Sequence, residues 1–140
     1  MNSRLALTLG VALSSASCGG DGVLPVAGGP PSDTGPALGF VQASVFTPHC
    51  ALPGCHAPPA PEQGMDLSAG KAYVSTVGID STELSGFKRV APGNAADSYL
   101  YMKIAGDPRI AGERMPFGGT LTAAEIDLVR AWIEAGAKDN

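Results

Sequence analysis

Both histidines of the chain and two of its three cysteines fall within eight consecutive residues, His49-Cys50-Ala51-Leu52-Pro53-Gly54-Cys55-His56. A cluster of metal-binding and oxidisable side chains this dense constrains whatever fold surrounds it. The fate of the thiols depends on the compartment. In an oxidising one they end as a disulfide, a metal site or a thioether.

The N-terminus points to the oxidising case. Met1 to Ser17 carries one basic residue, Arg4, an apolar run from Leu5 to Leu13, and the small residues Ser14-Ser15-Ala16-Ser17 directly before Cys18. That is the layout of a secretion signal. The apolar run is far shorter than the about 20 residues that span a bilayer. Small residues leading into a cysteine also resemble a bacterial lipobox, with Ser15 standing where leucine is usual. The expectation is a lipoprotein-type signal peptide over residues 1–17, with Cys18 lipidated and the chain exported to the periplasm or cell surface; a plainly cleaved signal is the alternative. Loss of Arg4 takes the net charge from −4 to −5. That balance argues against nucleic acid and suits either a solvated acidic face or docking to a basic partner.

Residues 18–37 form a Gly- and Pro-rich stretch with no sustained apolar period, which reads as a flexible tether. One domain follows over residues 38–140. A domain of about 100 residues buries only a small core, and a cofactor would help it. Its last element is the best marked. Thr122 and Glu125 make a capping box, Leu121 and Ile126 a hydrophobic staple, and Ile126, Val129, Trp132 and Ile133 recur at helical spacing up to Gly136. The pattern predicts a helix over 123–135. A second is expected over 95–105, opened by Asn94 and closed by Gly106. A third is expected over 38–47, where Leu38, Val41 and Val45 share a face and Pro48 breaks the period. A fourth, weaker one is expected from Ser68 to about Val77. Strand signals are sparse, so the fold class expected is all-α, with long Gly- and Pro-rich connections that suggest a large group filling the middle.

Two thiols followed at once by a histidine are what a covalently bound c-type haem requires: the thiols add to the vinyl groups and the adjacent imidazole reaches the iron. The usual spacing is Cys-x-x-Cys-His, whereas here four residues separate Cys50 from Cys55, two of them Pro53-Gly54, which can bulge as a turn. An electron carrier also needs a sixth iron ligand, and a thioether on the far face raises the reduction potential. Met115 is the best candidate, in a Gly-rich loop with Pro116 fixing the backbone beside it. Met65 is too near His56 to reach the opposite face, Met102 reads as helix packing, and His49 sits beside Cys50. Lys88, Arg89 and Arg114 are candidates to pair with haem carboxylates, and Trp132 and Tyr99 to pack in the core or against the ring.

The order of elements resembles the small class I c-type cytochromes. More closely, GMDLS at 64–68, VAPGNAADSYLYMKI at 90–104, RMPFGG at 114–119 and LTAAEIDLVRAWIEAGA at 121–137 resemble the planctomycete-type cytochrome c domain of exported bacterial proteins. The resemblance spans 38–140. It implies a cytochrome c-like helical domain with long loops around one covalent haem c, Cys50 and Cys55 as thioether attachments, His56 as proximal and Met115 as distal iron ligand, and redox proteins as partners of a carrier that is not an enzyme. Two other readings of the same residues stay open: an exported structural or interaction module with a Cys50–Cys55 disulfide, and a zinc site from His49, Cys50, Cys55 and His56, in which Cys55 and His56 are adjacent and cannot easily both close one tetrahedron.

Overall fold

Leu38, Val41, Val45 and Phe46 recur at helical spacing and all four are buried, so the chain enters the domain as a helix laid against the core. The computed structural model describes residues 35–140; the signal peptide of 1–17, Cys18 and nearly all of the tether lie outside the described residues. Helix α1 begins as regular helix over Leu38–Val41 and continues as π-helix over Gln42–Cys50. It therefore passes the expected stop at Pro48. In an α-helix the proline ring would press on the carbonyl four residues back. In the wider turn, partners shift one residue further, as where the Ala51 amide donates to the Phe46 carbonyl at 2.7 Å. The extension carries His49 and Cys50 on the helix's last turn.

A short 3₁₀ turn at Glu62–Gly64 precedes α2, Ala72–Thr76. The helix expected from Ser68 starts later because Gly70 adopts a left-handed φ of 73°, which interrupts the first turn. Helix α3, Tyr99–Ala105, likewise starts after the expected 95. Asn94 does cap a turn, accepting from the Asp97 amide at 3.1 Å. Ser98 is then extended (φ −96°, ψ 109°), so regular helix begins only at Tyr99. Gly106 ends it in left-handed geometry (φ 77°) as expected.

Helix α4, Ala123–Glu134, follows the sequence pattern closely. The Glu125 amide donates to the Thr122 hydroxyl at 3.3 Å and the Thr122 amide donates to the Glu125 carboxylate at 2.7 Å, completing the capping box. Thr122→Ala should cost about 1 kcal/mol; the midpoint of urea unfolding would report it, and an unchanged midpoint would mean the box adds nothing here.

The described residues contain no β-strand, only isolated bridges such as Val77 with Val90 and Lys88 with Ser98. The architecture is thus all-α. Helix α4 packs on α1 and α3. At the α1–α4 join Phe46 meets Trp132 edge to face, ring centres 6.2 Å apart and planes at 84°. Trp132 thus takes the core-packing role, with its indole N–H donating to the Lys138 carbonyl at 2.9 Å.

Candidate functional site

The end of α1, the Cys55–His56 turn, the inward face of α3 and the loop after it enclose a cleft of about 600 Å³. That volume is in the range of sites that take small molecules and cofactors, about 300–1,000 Å³. Val45, Phe46, Leu67, Leu100 and Ile104 make its walls mainly apolar. A polar side is built from Ser81, Thr82, Glu83 and Arg89.

All four residues singled out in the sequence line this one cleft: Cys50, Cys55 and His56 from one stretch, Met115 from a distant one. Cys50 arrives on the last turn of α1, and the His56 amide donates to the Cys50 carbonyl at 3.1 Å, which folds the segment between them into a tight bulge. The Cys55 amide closes the turn through Pro53-Gly54 by donating to the Leu52 carbonyl at 2.9 Å, with Gly54 at φ 78°. Both thiols are free. Burial, with the nearby Cys55 thiol adding to it, pushes the Cys50 thiol up to about 12. Cys50 is therefore a neutral thiol at pH 7, not a thiolate ready to ligate a metal.

His56 is set up as a ligand. Its Nδ1 lies 3.2 Å from the Met65 carbonyl, which can only accept, so Nδ1 carries the proton. The neutral ring then presents the Nε2 lone pair. Burial pushes the His56 pKa below its ordinary value, outweighing the hydrogen bonds to the Met65 and Glu62 backbone that favour protonation, so neutrality is favoured further.

The three methionines of the described residues divide. Met65 also lines the cleft, but its carbonyl holds the His56 ring, so its backbone belongs to the histidine side. Met102 is 1% exposed and packs in the core. Met115 is half-buried on the loop after α3, its amide donating to the Lys103 carbonyl at 3.0 Å. His49 lines the cleft but pairs with Glu125 of α4, Nε2 to Oε1 at 3.0 Å. Among the described residues no three His, Cys, Asp or Glu side chains converge to hold a metal ion, which gives the zinc reading no support.

Of the three candidate cations, only Arg89 lines the cleft. Its guanidinium donates to the carbonyls of Gln63, Gly64 and Ser75, bracing the turn that leads to Met65. Lys88 pairs with Asp80 at 2.6 Å and Arg114 donates to the Ile104 carbonyl at 2.8 Å. Sequence reasoning missed Lys103, which lines the cleft though 9% exposed. The available signal was a lysine set inside the otherwise apolar run of α3, YLYMKIA, where a charge needs an explanation.

No family model, curated protein or solved structure matches the chain, so its function has to be argued from its own residues.

Proposed function

We propose that this chain is a monohaem c-type cytochrome: a cytochrome c-like domain, exported and held at a membrane by lipid on Cys18, that passes single electrons between redox proteins. The observation that carries the reading is the convergence of Cys50, Cys55, His56 and Met115 on one apolar cleft. The donor set fits the group: two free thiols for thioether bonds, an imidazole held at Nδ1 by the Met65 carbonyl, and a thioether sulfur. A disulfide module would account for neither His56 nor Met115.

Bound there, haem supplies reversible one-electron chemistry at its iron. The chain's own part is to hold and shield. His56, fixed by the Met65 carbonyl, and Met115, fixed through the loop after α3, would both hold the haem iron, which suits a carrier. The apolar walls exclude water. Arg89 brings positive charge to the cleft's polar side, where the haem carboxylates would lie. At the cleft, Leu52 and Phe117 are 41% and 78% exposed and Cys55 is exposed too, so a partner protein has access there. The lipid and the tether would raise the local concentration of partners at the same membrane.

Expression behind a secretion signal in a host that matures c-type haem tests the reading. Haem staining should coincide with the protein on a denaturing gel, visible spectra should show sharp low-spin bands on reduction, and Cys50→Ser with Cys55→Ser should abolish the stain. A folded, colourless protein with Cys50 and Cys55 joined would leave the disulfide module standing and remove the carrier.

A further inference from the structure

Between Ile104 near the end of α3 and Leu121 just before α4, no side chain is buried. Met115 belongs to this exposed strap. A segment whose one apolar contact with the core is the half-buried Met115 opens at little cost unless its backbone is held, and here the hold comes from α3.

Tyr99 and Lys103 lie one turn apart on one face of that helix, and both are buried. The Ala111 amide donates to the Tyr99 hydroxyl at 2.9 Å, and the Lys103 ammonium donates to the Ala111 carbonyl at 2.7 Å. Two side chains thus capture both polar groups of one exposed residue's backbone. Two further bonds follow toward the sulfur: Arg114 Nε to the Ile104 carbonyl at 2.8 Å, and the Met115 amide to the Lys103 carbonyl at 3.0 Å. Those carbonyls lie in the last turn of α3, where the helix has no partners of its own for them. Glu83, 3.4 Å from the Lys103 ammonium, pairs the buried cation.

We propose that Tyr99 and Lys103 are positioning residues for Met115: by gripping the Ala111 peptide they hold the 111–115 strap against α3, so that the Met115 thioether stays on the iron and outside ligands are kept from it. The proposal rests on the haem reading above. Neither side chain need touch the sulfur, because both act through the backbone that carries it.

The test compares the full chain from the haem-maturing host with its Tyr99→Phe and Lys103→Met variants. Amide hydrogen exchange is followed at Ala111 and Met115, with Val129 of α4 as reference, and the affinity of the ferric iron for imidazole is titrated. Tyr99→Phe removes one oxygen and keeps the ring. It should speed exchange at Ala111 and Met115 and tighten imidazole binding, each about three- to tenfold, the weight of one hydrogen bond, while Val129 is unchanged. Lys103→Met should act in the same direction and more strongly, and Lys88→Ala, off the strap, should do neither. Unchanged exchange at Ala111 in both variants would overturn the proposal. So would faster exchange with unaltered imidazole affinity, or an equal rise at Val129, which would mean general loosening. A protein without iron would instead overturn the carrier reading; exchange at Ala111 would then still decide whether the strap is gripped, and no change there would sink the grip as well.

Discussion

Trp132→Ala is expected to cost about 3–5 kcal/mol of folding stability, a large part of the 5–15 kcal/mol or so that holds a domain of this kind together. Trp132 is 1% exposed. Its ring meets Phe46 of α1 edge to face, and its indole N–H ties the C-terminal segment through the Lys138 carbonyl at 2.9 Å. Truncation removes the largest fully buried side chain, leaves a cavity between α1 and α4, and removes the indole bond to the C-terminal segment. In a domain of about 100 residues each kcal/mol moves Tm by roughly 4–8 °C, so the melt should fall by some 12–40 °C. Thermal unfolding followed by circular dichroism would measure it. Phe117→Ala, at a residue 78% exposed, should stay within about 0.5 kcal/mol of the parent. A Trp132→Ala protein that melts close to the parent would mean that the α1–α4 join is not what stabilises the fold. The join matters to the site as well, because Phe46 forms one wall of the cleft and α1 delivers Cys50.

The parts of this structure legible in the sequence are those whose signal is local. The α4 helix could be read from Thr122, Glu125 and the spacing of Val129, Trp132 and Ile133, since capping and periodicity lie within the helix itself. The boundaries of α1 and α3 were less legible. Pro48 ends an α-helix but not a π-turn, and nothing in the sequence announces the change of winding. Asn94 is a good cap, but it caps a turn that stops at Ser98. At the site, the residue types of Cys50, Cys55, His56 and Met115 carry their chemistry on their face, and the fold brings them to one cleft. What surrounds them was hidden. The partners of Arg89 are the carbonyls of Gln63, Gly64 and Ser75, and the partners of Tyr99 and Lys103 are the amide and carbonyl of Ala111. Every residue has such backbone groups, so no residue type marks which ones are used.

Met115→Ala should separate covalent attachment from axial ligation. Cys50, Cys55 and His56 are untouched by it, so haem staining on a denaturing gel should be unchanged. Met115 is half-buried, in an exposed strap held by backbone hydrogen bonds, so the fold should survive with little loss. The iron should feel the change directly. A methionine opposite histidine raises the potential, and axial ligands tune haem over about 0.8 V, so losing the sulfur should lower the midpoint on the order of 100 mV. The sharp low-spin bands should broaden, and imidazole should bind more tightly than it does to the parent. Potentiometric titration with visible spectra reads all three. If the variant keeps the parent's spectrum and potential, Met115 is a loop residue and the sixth ligand lies elsewhere. Met65 is then the next thioether to examine, since it too lines the cleft. Its carbonyl holds the His56 ring, so its backbone sits on the histidine side, and its sulfur would have to cross the cleft to bind from the other face. Met65→Leu keeps that carbonyl and removes only the sulfur. If Met115 is the ligand, it should leave the midpoint close to the parent's, and a fall as large as that expected of Met115→Ala would reassign the distal position.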